Sequence, residues 1–165
     1  MGMEEGDLTI EDLLKPKTLL TYFAGYCLGR PLNLKPLLSL RDYCNVLVQY
    51  DKWWDRTAIV REKHDRLMRE LRYLMTQYIF CFEEPRYPES TCKRLRENLE
   101  AYVRGARKLK ARVEELIKEG EKLEVRRRNF EHLMQRLSWM RSNLSWAIEE
   151  ASKLMARGEV MDATQ

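Results

Sequence analysis

The feature that most constrains this chain is a run of apolar positions spaced alternately three and four residues apart. Between residues 57 and 78 it comprises Thr57, Val60, His64, Leu67, Leu71, Leu74 and Tyr78. This spacing places every member on one side of an α-helix and is typical of helices that pack nearly parallel to one another. A second stripe flanks the first, so this helix is expected to contact at least two neighbours. Its members are Met68, Met75, Ile79 and Phe82.

The same spacing returns in two later stretches of the chain. Two prolines end the first helix and Gly120 ends the second, so long helices are predicted over residues 52–84, 90–119 and 121–157. The seam of the second contains Leu95, Leu99, Tyr102, Ala106, Leu109, Val113 and Leu116. The seam of the third contains Phe130, Leu133, Leu137, Met140, Leu144, Ala147, Ala151 and Leu154.

Three long helices joined by short turns must run up, down and up. The predicted fold class is therefore all-α, an elongated antiparallel bundle of three long heptad-patterned helices with a coiled-coil-like seam. Residues 1–50 are apolar but interrupted by glycine and proline, and they are predicted to form a shorter N-terminal helical layer that caps the bundle. The bundle itself is assigned to residues 51–158, and residues 159–165 to a tail after Gly158.

Composition suggests where the protein acts. No apolar run reaches the roughly 18 residues that a membrane span needs. The N-terminal sequence MGMEEGD is acidic and is unlike a signal peptide. We therefore expect no membrane span and a location that is intracellular (cytoplasmic) or within a virion. Only nine residues are Asn or Gln among many charged ones, which suggests a heat-adapted source.

The four cysteines show no metal-binding spacing, and with only two histidines no metal site or other cofactor is expected. Burial as small apolar side chains is the favoured interpretation. Disulfides are the alternative, because Cys81 and Cys92 flank one predicted turn and Cys27 and Cys44 flank another.

The positive charge of the chain is local. Residues 91–128 carry 13 Lys or Arg against 7 Asp or Glu, a net charge of +6 where the whole chain has +4. Residues 101–113 contain no acid, and a basic strip on the predicted outer face of this helix suits phosphate binding. A solvated helix face is the competing interpretation. The strip comprises Arg104, Arg107, Lys108 and Arg112, and Arg126, Arg127 and Arg128 are expected to extend it around the turn.

A second candidate site lies just after this turn. Arg127-x4-His132 is similar to the Arg–His spacing of helical ribonucleases of the HEPN type, which implies phosphodiester cleavage with Arg127 and His132 as catalytic residues. The polar residue that follows the arginine in that pattern fits Arg128-Asn129, but His132 then comes one residue early. The alternative is a solvated Arg127 and a half-buried His132 beside Trp139.

The remaining aromatic and histidine candidates have structural interpretations. Aromatic rings near basic residues can stack nucleobases. Trp139 and Trp146 recur at heptad spacing, however, and are predicted to lie in the core. The Trp53–Trp54 pair is expected to cap the bundle end, and His64 to be a hydrogen-bonded core residue.

These features favour a non-enzymatic structural or assembly protein, such as a nucleoprotein or virion component. It would bind the nucleic-acid backbone, DNA or RNA, without sequence specificity and would self-associate along it. One alternative is a protein-interaction small subunit of a larger complex, and another is the HEPN-like ribonuclease. No phosphate-binding loop, dinucleotide fingerprint or zinc-protease motif is present.

Overall fold

The structure is a computed structural model that describes residues 35–124 and 126–163, with side chains described for residues 44–124 and 126–161. These residues form three α-helices and no strand. The helices are α1 (Lys35–Ile79), α2 (Glu89–Glu121) and α3 (Phe130–Ala163). Each packs against the other two, which confirms the predicted all-α fold with three helices. The N-terminal short helices predicted before residue 35 lie outside the described residues.

Contacts at the two ends of the bundle establish the helix directions. In the first half of α1, the indole Nε1–H of Trp53 donates to the carbonyl of Leu116, close to the end of α2, at 2.7 Å. The same indole lies 5.6 Å from the ring of Phe130, at the start of α3. At the far end, a disulfide joins Cys81 and Cys92. Helices α1 and α2 are therefore antiparallel, whereas α1 and α3 run in the same direction.

The core follows the seams that the sequence predicts. In α3, for example, Leu137, Met140 and Leu144 are completely buried, as the spacing of three and four requires. The exceptions are four seam residues whose side chains are only half-buried. They are Leu67, Leu95, Tyr102 and Leu154.

Helix α1 is longer than the sequence analysis predicts. Residues 35–50, expected to belong to a separate short helix, form its first part. No glycine or proline interrupts residues 37–79, and the apolar stripe continues backwards through Leu47, Tyr50 and Trp53, which are 1%, 0% and 0% exposed. The expected break near residue 51 is therefore absent, because this segment packs into the same core as the rest of α1.

Of the two glycines predicted to end helices, one does so. Helix α2 ends at Glu121, directly after Gly120, whereas α3 continues past Gly158 to Ala163, so residues 159–163 are helical rather than a tail. Both glycines are buried where a neighbouring helix carries a large aromatic side chain. A Cβ at Gly120 would lie 2.9 Å from Trp53 Cζ2, and one at Gly158 would collide with the Tyr78 hydroxyl.

The cysteines depart from the favoured prediction of unbridged burial. Cys81 and Cys92 form a disulfide with a Cα–Cα distance of 5.9 Å, and both are only half-buried. Cys44 is buried and disulfide-bonded. The predicted pairing with Cys27 involves a residue outside the described ranges. Disulfides persist in oxidising compartments and in intracellular proteins of hyperthermophiles.

Candidate nucleic-acid interface

The basic strip predicted on α2 is exposed but divided between different surfaces. Arg104, Arg107, Lys108 and Arg112 are all solvent-exposed. Lys108 and Arg112 line a groove between α2 and α1. Lys110, the other cation of the stretch, instead lines a cleft towards α3. Two members of the strip therefore line a groove, whereas Arg104 and Arg107 are exposed and line neither cleft.

The groove between α1 and α2 is open and has a volume of about 570 Å³. Its floor is apolar, and Gly105 leaves it open, because no side chain projects there between the two helices. On α1 the lining extends from Arg56 to Glu70, which is about 21 Å at 1.5 Å per residue. The apolar lining consists of Ile59, Val60, Leu67, Tyr102 and Leu109.

The groove is strongly positive. Five of its lining side chains are cationic and only one, Glu70, is acidic. Three of the cations form ion pairs with carboxylates on the helix surface. These pairs are Arg56 with Glu119 at 2.8 Å, Arg66 with Glu62 at 3.4 Å and Arg112 with Glu115 at 3.3 Å.

Lys63 and Lys108 are the remaining two cations, and neither forms an ion pair with any carboxylate in the described part of the chain. They belong to different helices. Leu67 lies beside Gly105 and Arg56 lies beside Glu119, so the antiparallel register places the two lysines at the same level of the groove. Two exposed ammonium groups without counterions, facing one groove, favour an anionic ligand.

The sequence analysis placed the basic edge on α2 and the turn after it, and it missed the contribution of α1 to this groove. Arg56, Lys63 and Arg66 nevertheless follow one flank of the α1 seam at helical spacing. That periodicity could have indicated a basic edge, although the facing edge on α2 becomes apparent only when the helices are paired.

The three arginines after α2 have different environments. Arg126 lies over the ring of Phe130, with its Cζ 4.4 Å from the ring centroid, and donates to the carbonyl of Glu121 at 3.1 Å. Arg127 is half-buried and forms an ion pair with Asp51 at 2.9 Å. Arg128 is exposed. These arginines do not present one continuous basic surface, because Arg127 is directed towards α1.

The ion pair of Arg127 is part of the packing between α1 and the turn before α3. Its guanidinium also lies 5.7 Å from the ring centroid of Tyr50, whose hydroxyl donates to Asn129 Oδ1 at 2.7 Å. Burial raises the pKa of Asp51 above its ordinary value, and the positive charge of Arg127 only partly opposes this effect. Burial likewise raises the pKa of the Tyr50 phenol. Arg127 is therefore engaged in holding the bundle end together.

The candidate ribonuclease residues have separate surroundings. Arg127 is held by Asp51, as described above, whereas His132 is exposed on the first turn of α3 rather than half-buried beside Trp139. The structure shows no contact between the two side chains. An Arg–His pair that acts on one phosphodiester must converge on it, and here the arginine is directed towards another helix.

The tryptophans at heptad spacing on α3 are not core residues. Trp139 is 55% exposed and Trp146 is 48% exposed, which contradicts the prediction. The seam of α3 runs through Leu137, Met140 and Leu144, and the two tryptophans lie on the flank away from it. Trp53 is buried and Trp54 is 42% exposed, so only the first of that pair fills the bundle end. His64 is buried and hydrogen-bonded to Asp65, as predicted.

No group of three His, Cys, Asp or Glu side chains in the described residues is arranged to hold a metal ion. None of the three helices contains a stretch apolar enough, over sufficient length, to cross a membrane. Comparison with protein families, curated proteins and solved structures finds no match.

Proposed function

We propose that this protein binds the phosphate backbone of nucleic acid along the groove between α1 and α2, as a non-enzymatic structural or assembly component. The observation that carries the proposal is the pair Lys63 and Lys108, which lack ion-pair partners in the described part of the chain and face one groove from two helices. The phosphates of nucleic acid are regularly spaced anions, which two cations in one groove can contact together.

The chemistry of the groove favours backbone contacts over base reading. Its polar groups are almost all ammonium and guanidinium groups, which donate to phosphate oxygens and release counterions. The helices lie side by side, so neither projects a face that enters a duplex groove, and sequence preference should be weak. One such groove offers few contacts. Tight binding therefore requires several copies of the protein on one nucleic acid, as expected for a coating or packaging protein.

Arg104 and Arg107 have a secondary part in this proposal. They are exposed on α2 beside the groove without lining it, so they strengthen the positive field that attracts a polyanion. Arg128 has the same role near the bundle end. Arg126 and Arg127 contribute less, because each guanidinium already has a partner within the protein.

Fluorescence anisotropy with labelled duplex and single-stranded oligonucleotides of unrelated sequence tests the proposal across a range of salt concentrations. The wild-type affinity should fall steeply as salt increases. The double variant Lys63→Gln and Lys108→Gln removes two phosphate contacts. The slope of log affinity against log salt should then become shallower by about 1.4 for single strands and about 1.8 for duplex.

The matched control is Lys93→Gln with Lys118→Gln, which removes the same charge from exposed positions of α2 that do not line the groove. It should leave the slope nearly unchanged. An equal effect of both double variants would show that binding depends on net charge rather than on the groove. Absence of binding by the wild-type protein to DNA and RNA at low salt would refute the proposal.

Light scattering after size-exclusion chromatography, with and without nucleic acid, tests the assembly part of the proposal. Several copies should co-elute with one long oligonucleotide, in numbers that increase with its length. A fixed one-to-one complex at every length would contradict a coating role. Binding of a protein partner without any nucleic acid would instead favour the interaction-subunit alternative.

A further inference from the structure

A second cleft, between α1 and α3, contains a buried histidine with an unused ring nitrogen. His64 is 2% exposed and its Nδ1 lies 3.0 Å from Asp65 Oδ1. An ionised carboxylate only accepts hydrogen bonds, so Nδ1 carries the proton in this contact. The other nitrogen, Nε2, is buried and has no hydrogen-bond partner, but it also has no accessible surface, so it offers a ligand no hydrogen bond. His64 therefore contributes only part of the wall of the cleft.

The rest of the cleft is polar and positive. It has a volume of about 260 Å³ and is also lined by Arg69, Arg72, Trp139 and Asn143. Neither arginine forms an ion pair with a carboxylate of the described residues. The one acid in the lining, Asp65, is already engaged by His64 Nδ1. An anionic group is therefore favoured at the arginines.

Trp139 supplies a flat apolar wall to the same cleft. Its ring centroid lies 5.5 Å from that of His64, and 55% of the residue is exposed. An exposed indole beside two guanidinium groups suits a ligand that has both a planar ring and a negatively charged group. The volume is just below the roughly 300 Å³ at which pockets for drug-sized ligands begin, so the occupant is small.

We propose that this cleft binds a single nucleotide unit. Its base stacks on Trp139, while Arg69 and Arg72 hold its phosphate. The amide of Asn143 can both donate and accept, which suits the polar edge of a base. A base inside a duplex is already stacked and paired, so the unit comes either from a single strand or from a free nucleotide. In the first case the inference rests on the proposed function and gives the protein a preference for single strands.

The test compares two exposed tryptophans on one helix. Trp139→Leu removes the stacking wall, and Trp146→Leu is the matched control, since Trp146 is exposed to a similar degree and lies outside the cleft. The affinity of Trp139→Leu for a single-stranded oligonucleotide should fall by about fivefold to a hundredfold, the range for loss of one base–aromatic stack. The affinity for duplex should not change, and Trp146→Leu should behave as wild type. Circular dichroism establishes that both variants are folded.

Adenosine monophosphate separates the two sources of the nucleotide. If it quenches wild-type tryptophan fluorescence, the quenching should disappear in Trp139→Leu and weaken in Arg69→Gln with Arg72→Gln. If the wild-type protein shows this quenching but binds neither duplex nor single strands, the proposed function is refuted. The cleft is then a site for free nucleotides. The inference is overturned if Trp139→Leu and Trp146→Leu have equal effects on single-strand affinity. It is also overturned if Trp139→Leu alters neither oligonucleotide affinity nor quenching.

Discussion

Replacement of either of two glycines in α2 by alanine should change stability in opposite directions. At Gly120, an added Cβ would lie 2.7 Å from Met134 Sδ and 2.9 Å from Trp53 Cζ2. At Gly105, the same atom would lie 3.5 Å from Leu67 Cδ1, an ordinary van der Waals contact. The two substitutions are chemically identical and lie in one helix, so their difference isolates the effect of the neighbours.

The magnitudes follow from two opposing contributions. Alanine stabilises a helix interior by roughly 0.5–1 kcal/mol relative to glycine. Gly105→Ala gains this contribution at little steric cost and should increase the free energy of unfolding by that amount. Overpacking at Gly120 costs about 1–3 kcal/mol. Displacement of Trp53 would also weaken its hydrogen bond to Leu116, at roughly 1 kcal/mol. Gly120→Ala should therefore lower stability by about 1–3 kcal/mol net.

Urea unfolding followed by circular dichroism measures both variants. With a slope near 2 kcal/mol per molar, the two midpoints should differ by roughly 1–2 M. Tryptophan fluorescence should also change in Gly120→Ala, because Trp53 is displaced, and should remain unchanged in Gly105→Ala. If Gly120→Ala stabilised the protein as much as Gly105→Ala, Gly120 would not be a packing position and the assigned register of α2 against α1 would be wrong.

Three further predictions use the same unfolding measurement. Leu137 is completely buried, so Leu137→Ala should lower the free energy of unfolding by about 2–5 kcal/mol. A loss below about 1 kcal/mol would mean that the wrong face of α3 was assigned to the core. The Cys81–Cys92 disulfide closes a loop with a sequence separation of 11 and thereby restricts the unfolded chain. Its reduction should lower the free energy of unfolding by up to about 3 kcal/mol, and unchanged stability would contradict this argument. Because the pKa of Asp51 is raised, its carboxyl group binds a proton more tightly in the folded chain than in the unfolded chain. The contribution of Asp51 to stability therefore falls as pH rises through that raised pKa. The stability of wild type relative to Asp51→Asn should thus decrease between pH 3 and 7, whereas an increase would show that the Arg127 ion pair outweighs burial.

The fold class and most of the core could be predicted from the sequence, because heptad spacing is a local property of each helix. Positions such as Leu71, Val113 and Leu144 must lie on one face whatever the partner, and all three are completely buried. The same local argument failed for Trp139 and Trp146. Their spacing of seven is compatible with a seam, but it does not distinguish the seam from its flank when another apolar stripe already fills the core.

Part of the candidate interface was also accessible from the sequence. The acid-free run predicted a basic edge, and Lys108 and Arg112 do line a groove. The other edge, with Lys63, required the pairing of α1 with α2, because charges on two helices combine only through their register. Likewise, nothing local shows that His64 has an unpartnered nitrogen beside Trp139, since the two residues are 75 positions apart in the chain.

Glycine shows most directly where local inference ends. A glycine followed by charged residues reads as a helix end, because glycine ends helices readily. At Gly120 this expectation holds to within one residue, but at Gly158 the helix continues to Ala163. At both positions the missing side chain makes room for an aromatic residue of α1, Trp53 or Tyr78. The sequence by itself determined that there are long amphipathic helices and which faces they bury. Only the tertiary structure decided where they end and which charges share a groove, because both depend on side chains far apart in the chain.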